Sequence, residues 1–215
     1  MKLRSVLLLL MLMMLPANWV PSAKGEDVVK KYFTPVDPRP INLWNVAYNI
    51  LDDAPGELAR AFIRDGAGEQ MISLSKVGED QASLEYGYFS QSIVHALRQR
   101  EPVNMTPKRV TKKFPFALAE RLNCQWVEHL LRVAHPAEPP PLADGATIYH
   151  FYAYRQMRGV LSGQVRVDPC PENFEMIVAV NLMIAFANAE SAAAENDILA
   201  KLENLSRNAP ALPKH

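Results

Sequence analysis

The chain has 215 residues, of which 49% are hydrophobic and 21% charged, with 23 basic residues balancing 23 acidic ones. A formal charge of zero excludes a global field for nucleic acid or an anionic membrane, leaving only local patches for such work. The composition is that of an ordinary globular chain rather than a disordered one, and the length fits one domain or at most two small ones.

Lys2 and Arg4 precede an unbroken apolar run from Val6 to Leu15, which stops at Pro16 and is followed by the small residues Ser22 and Ala23. Basic start, short apolar core and small-residue exit are the order of a secretory signal peptide. The run is half the ~20 residues that a membrane-spanning helix needs, so cleavage after Ser22 or Ala23 is expected rather than anchoring. The expected organisation is a signal peptide over 1–23, one globular and mostly helical domain over 24–205, and a flexible tail over 206–215. The exported chain is placed outside the cytoplasm, secreted or periplasmic, with no transmembrane anchor after cleavage. Loss of Lys2 and Arg4 leaves 21 basic against 23 acidic residues, a charge of −2.

The two cysteines, Cys124 and Cys170, both lie in the exported part. In an oxidising compartment a lone pair is expected to form one disulfide. Closing that loop is worth about 4 kcal/mol by chain entropy. Cys124 sits beside Leu122, Trp126 and Val127, an apolar setting that suppresses thiol reactivity.

Proline clusters segment the chain. After an extended lead-in over 34–40, residues 41–52 read as a short helix. Asp53 and Pro55 then supply a cap and a first-turn proline for a second helix over 56–65, ended by Gly66. Residues 67–78 show no period. Ala82, Tyr86, Phe89, Ile93 and Leu97 recur at spacings of three and four, which predicts an amphipathic helix. Residues 101–113 read as a polar loop. Pro115 opens a long helix to about Ala134, with Ala119, Leu122, Trp126, Leu130 and Val133 as its buried seam and Glu128 and Arg132 paired on the wet side. The run Pro139-Pro140-Pro141 is a stiff connector.

Residues 148–154 suit a strand by their aromatics, yet Ile148, Tyr152, Met157 and Val160 also fit one helical face. Residues 164–167 alternate as a short strand. The stretch 176–189 is apolar on all sides and predicts a buried element that runs into an alanine-rich helix over 190–205. One long central helix is the first reading, and a buried strand followed by a helix the second. The fold class expected is therefore mainly α, a single helical domain with room for a small antiparallel hairpin near 147–167; α+β is the alternative.

No motif points to a reaction. The histidines His95, His129, His135, His150 and His215 are not spaced to share a metal, so no metal site and no cofactor are expected. His129 and His135 are read as solvated. Ser73-Leu74-Ser75-Lys76 has the Ser-x-x-Lys spacing of an activated serine without its companion elements. Lys108, Arg109, Lys112 and Lys113 form a basic knot, read as a solvated loop or as a site for an anionic partner. The most suggestive cluster is Tyr149, Tyr152, Tyr154, Arg155 and Arg158, because tyrosine and arginine carry energy at recognition surfaces. In a strand, Tyr149, Phe151 and Arg155 oppose His150, Tyr152 and Tyr154. The function expected is an exported, non-enzymatic protein that binds or inhibits a protein partner through this segment, with no nucleic-acid partner. An extracytoplasmic hydrolase with an unassigned site and a helical adaptor or structural component of the envelope are the alternatives.

Overall fold

A computed structural model describes residues 57–65, 68–101, 106–132, 147–155, 159–167 and 174–207. Six strands form one antiparallel sheet: β1 (Glu57–Asp65), β2 (Gly68–Lys76), β3 (Gln81–Tyr88), β4 (Lys108–Pro115), β5 (Ile148–Arg155) and β6 (Gly159–Arg166), in the order β4-β3-β2-β1-β5-β6. A short helix, α1 (Ile93–Gln99), and three longer ones, α2 (Phe116–Leu131), α3 (Glu175–Ala187) and α4 (Ala192–Arg207), complete the described residues.

Strand and helix contribute in near-equal measure, which overturns the mainly helical expectation. The error begins at 56–65, read as a helix and found as β1. Ala59, Ala61 and Ile63 point to one face of the strand, and Arg60, Phe62 and Arg64 to the other. The three alternating positions on the first face are all buried. The expected helix over 82–97 is instead β3 followed by α1. Ala82 and Tyr86 are four apart, an even spacing that keeps them on one strand face as well as one helix face. Residues 67–78, left without a period, form β2. The loop expected over 101–113 contains β4 from Lys108 onwards.

The three longer helices, α2, α3 and α4, lie on one face of the sheet, and α1 meets β2 from the other, where the Ile93 N–H donates to Glu69. α2 covers β1, β5 and β6, and α3 covers β2, β3 and β4. Ala59 and Ala153 face each other across the β1–β5 ladder, with Ala61 opposite Phe151. These small residues let α2 approach closely, and the Trp126 ring fills the space edge-on to Phe151 at 5.1 Å. Ala119, Leu122, Trp126 and Leu130 are buried as the period predicts. α4 packs on α2 and α3 from outside through Ile198, Leu202 and Leu205.

The apolar stretch expected as one long helix, or as a strand and a helix, is two helices. Asn188 closes α3 by donating from its side-chain amide to the Ile184 carbonyl at 2.8 Å. Ser191 opens α4, its hydroxyl accepting from the Ala194 N–H at 3.3 Å. α4 runs on through Ser206 and Arg207, past the expected domain end at 205. The helix expected over 41–52, the signal segment, the proline connector, Cys170 and residues 208–215 lie outside the described residues. No helix among the described residues is long and apolar enough to cross a membrane.

Candidate functional site: the outer face of the β5–β6 hairpin

β5 sorts the aromatic segment by its alternation. Tyr149 and Phe151 point under the helices and are buried; the Tyr149 hydroxyl donates to Asn181 Oδ1 at 3.3 Å. Tyr149 is therefore a core residue. His150, Tyr152 and Tyr154 point to the opposite face, as the strand reading requires. Arg155 is the last residue of β5, and Arg158 lies outside the described residues.

Along that second face, cross-strand pairing lines up Thr111, Glu85, Ser73, Arg60, Tyr152 and Ser162. Arg60 pairs with Glu57 at 3.1 Å and lays its guanidinium over the Tyr152 ring, 5.3 Å from the centroid. The next row holds Met71, Phe62 and His150, with Phe62 and His150 edge-to-face at 6.3 Å. Burial first, and Arg64 second, push the His150 imidazole down to about 4, so it is neutral at pH 7.

Toward the hairpin end the face opens. Tyr154 is 49% exposed, and Val160, its direct partner across the ladder, is 64% exposed. Together with the half-buried Tyr152 they form an aromatic and aliphatic patch. Sequence reasoning named Tyr152 and Tyr154 but missed Val160. Only the register Tyr154↔Val160 brings it beside them, and register is set by a turn whose length was not legible.

The groups considered for catalysis are placed apart. Ser73 and Lys76 are three apart on a strand and so face opposite sides of β2, and the Lys76 ammonium lies over the Phe116 ring at 4.7 Å. No proton transfer between them is available. His129, expected in solvent, is buried where Phe174 meets its ring edge-on at 5.4 Å. Its Nε2 lies 3.7 Å from Glu175 Oε2, which also accepts from Gln125 Nε2 at 2.9 Å. Its Nδ1 finds no hydrogen-bond partner among the described residues. Burial, then Glu120 and Glu128, push the Cys124 thiol up, which disfavours a nucleophilic thiolate. No group of three or more His, Cys, Asp or Glu side chains able to hold a metal occurs among the described residues.

The basic knot is a strand, not a loop. Arg109 pairs with Glu85, and Lys112 donates to Glu195 Oε1 at 2.6 Å and to the Ala189 carbonyl at 2.7 Å. Lys108 lies over the Tyr88 ring at 5.9 Å, so three of the four cations are engaged within the fold. No protein family matches the chain, and neither a curated protein nor a solved structure shows significant similarity to it.

Proposed function

We propose that this is an exported, non-enzymatic protein that binds or inhibits a protein partner, and that its contact surface is the outer face of the β5–β6 hairpin around Tyr152, Tyr154 and Val160. One observation carries the reading: Tyr154 and Val160, opposed across the ladder, are, among the described residues, the two exposed large apolar side chains that stand on the sheet itself. Paired cross-strand apolar residues normally stabilise a sheet by shielding one another and being covered. Here they are left to solvent, beside a tyrosine whose ring the Arg60 guanidinium covers. A tyrosine offers contact area at small entropic cost, as hot-spot residues do. Export rests on the charge and apolar order of residues 1–23.

The test separates fold from binding. Immobilised wild type, Tyr154→Ala and Val160→Ser proteins are compared for capture from the native extracytoplasmic fraction. Hot-spot truncation costs at least ~2 kcal/mol of affinity, about thirtyfold, while exposed changes alter stability by only about 0.5 kcal/mol. Capture lost in both variants at an unchanged melting temperature supports the surface. Equal capture by all three, or unfolding of both variants, removes it.

A further inference from the structure

The two edges of the sheet are built differently. β4 carries Lys108, Arg109, Lys112 and Lys113 in eight residues, whereas β6 carries only Arg166. Charged side chains, lysine above all, are how sheets keep an edge from pairing with another chain. β4 has that guard and the first half of β6 lacks it: Gly159, Val160 and Ser162 are exposed and uncharged.

The backbone of that half points the right way. The Val167 N–H donates to the Thr147 carbonyl at 3.0 Å, which fixes the phase of the β5–β6 ladder. Hydrogen-bonded pairs alternate along an antiparallel ladder. Residues 159, 161 and 163 therefore bond to β5, and the N–H and C=O groups of Val160 and Ser162 face away from it.

We propose that this edge pairs, antiparallel and about a two-fold axis at Ser162, with the β6 strand of a second copy of the chain. The proposal goes beyond the partner-binding reading and does not depend on it. In this register Ser162 stands opposite Ser162 of the second copy, and Val160 opposite its Gln164. Leu161, on the helix-covered side, meets Gly163, where no side chain competes for the space. The two Arg166 residues end roughly 27 Å apart at ~3.4 Å per residue, well past the ~8 Å screening length, and the one like-charge opposition that the register makes, Arg166 with Arg158 of the second copy, falls beyond the first strand residue Gly159 rather than inside the ladder. β4 cannot pair with itself in this way. Its two central registers set either Lys112 opposite Lys108 or Lys113 opposite Arg109, and like charges directly opposed are destabilising. A single strand pair is a small contact, at the weak end of specific interfaces, so the dimer forms at high rather than trace concentration.

The test is sedimentation of the purified chain between ~1 and ~100 µM, the range over which a weak interface populates. Wild type should shift from monomer to dimer. The double variant Val160→Lys, Ser162→Lys should raise the dissociation constant at least tenfold while keeping the circular dichroism and melting temperature of wild type. Directly opposed residues in a hydrogen-bonded pair have Cα atoms ~5.5 Å apart, within disulfide range. Under mild oxidation Ser162→Cys should therefore yield a dimer whose peptide map contains a 162–162 link, and Val77→Cys, on the exposed β2–β3 turn, should not. A wild type that stays monomeric, a dimer unaffected by the two lysines, or a Ser162→Cys chain that links no better than Val77→Cys overturns the proposal. The readout needs no partner, so a monomeric wild type leaves the Tyr154 surface standing, and failed capture leaves the dimer standing.

Discussion

Lys112 on edge strand β4 places its ammonium 2.6 Å from Glu195 Oε1 of α4 and 2.7 Å from the carbonyl of Ala189, between α3 and α4. The same ammonium lies over the Phe186 ring, 5.5 Å from the centroid. One side chain thus ties the helical layer to the guarded edge of the sheet. Lys112→Met keeps the apolar stem and removes the charge. It should cost about 1.5–3 kcal/mol, the range for hydrogen bonds to charged groups. Urea denaturation measures it, and Glu195→Gln in the same background should add little because both changes break one interaction.

Glu69 is buried at the start of β2, with its carboxylate turned to the start of α1. The Ser92 hydroxyl donates to Oε1 and the Ile93 N–H to Oε2, each at 2.8 Å. Glu69→Ala should leave those donors unsatisfied at a cost of about 1–3 kcal/mol. Hydrogen exchange should show α1 losing protection before the sheet does. Uniform loss across the fold would mean that the contact supports the whole sheet and not α1 in particular.

His150 gives the fold a pH dependence of definite sign. Its imidazole titrates near 4 in the fold against 6.5 in the unfolded chain, through burial first and Arg64 second. Between those values the unfolded state binds more protons. Its contribution is therefore complete above pH ~6.5 and declines as pH falls toward ~4, at about 1.4 kcal/mol per pH unit at most. Stability measured from pH 7.5 to 4 should fall more steeply for wild type than for His150→Gln. Parallel curves would assign the acid sensitivity elsewhere.

Cys124 precedes His129 by five residues on α2, the His129 ring meets Phe174, and Cys170 precedes Phe174 by four residues. Four residues span at most ~14 Å, so the chain can bring Cys170 back to α2. A Cys124–Cys170 disulfide is expected in exported protein, detected as a linked peptide by mass spectrometry without reduction. Two free thiols would remove it.

The apolar stretch 176–189 supplies the most buried helix. Met176, Val180 and Met183 have essentially no exposed surface, and Ile184 is only half-buried. Met183→Asp should unfold the domain, because breaking into a sealed core with an unpaired charge costs several kcal/mol against a total of ~5–15. A retained melting temperature would show that this helix is not sealed.

How much of this was legible differs by element. α2 was readable because its seam repeats at three and four over several turns, and no strand keeps that pattern on one face. β3 was not, because Ala82 and Tyr86 satisfy both periods. β1 was not, because alanines under α2 and a buried Arg60 and Phe62 on the other face erase the usual contrast between inward and outward residues. A strand covered on both faces loses that contrast. For the candidate site, propensity gave the aromatic strand and its alternation gave the two faces. Val160 needed the register, and the open edge needed the strand order.

β1 sits fourth of six across the sheet, beside its sequence neighbour β2 on one side and the far later β5 on the other. The meander β1–β4 and the hairpin β5–β6 each consist of local pairings, and only the β1–β5 ladder joins them. That ladder closes a loop of more than eighty residues, from Asp65 to Ile148. Loop-closure entropy falls on this single junction, and contacts of long sequence separation form slowly. Assembly should therefore be limited by the docking of these two halves across that junction. α2, which lies between them in sequence and packs across β1, β5 and β6, is the element that makes the docking productive. Substitutions at Ala59, Ala153 or Trp126 should then slow refolding, whereas changes at the tip of either hairpin should act mainly on unfolding.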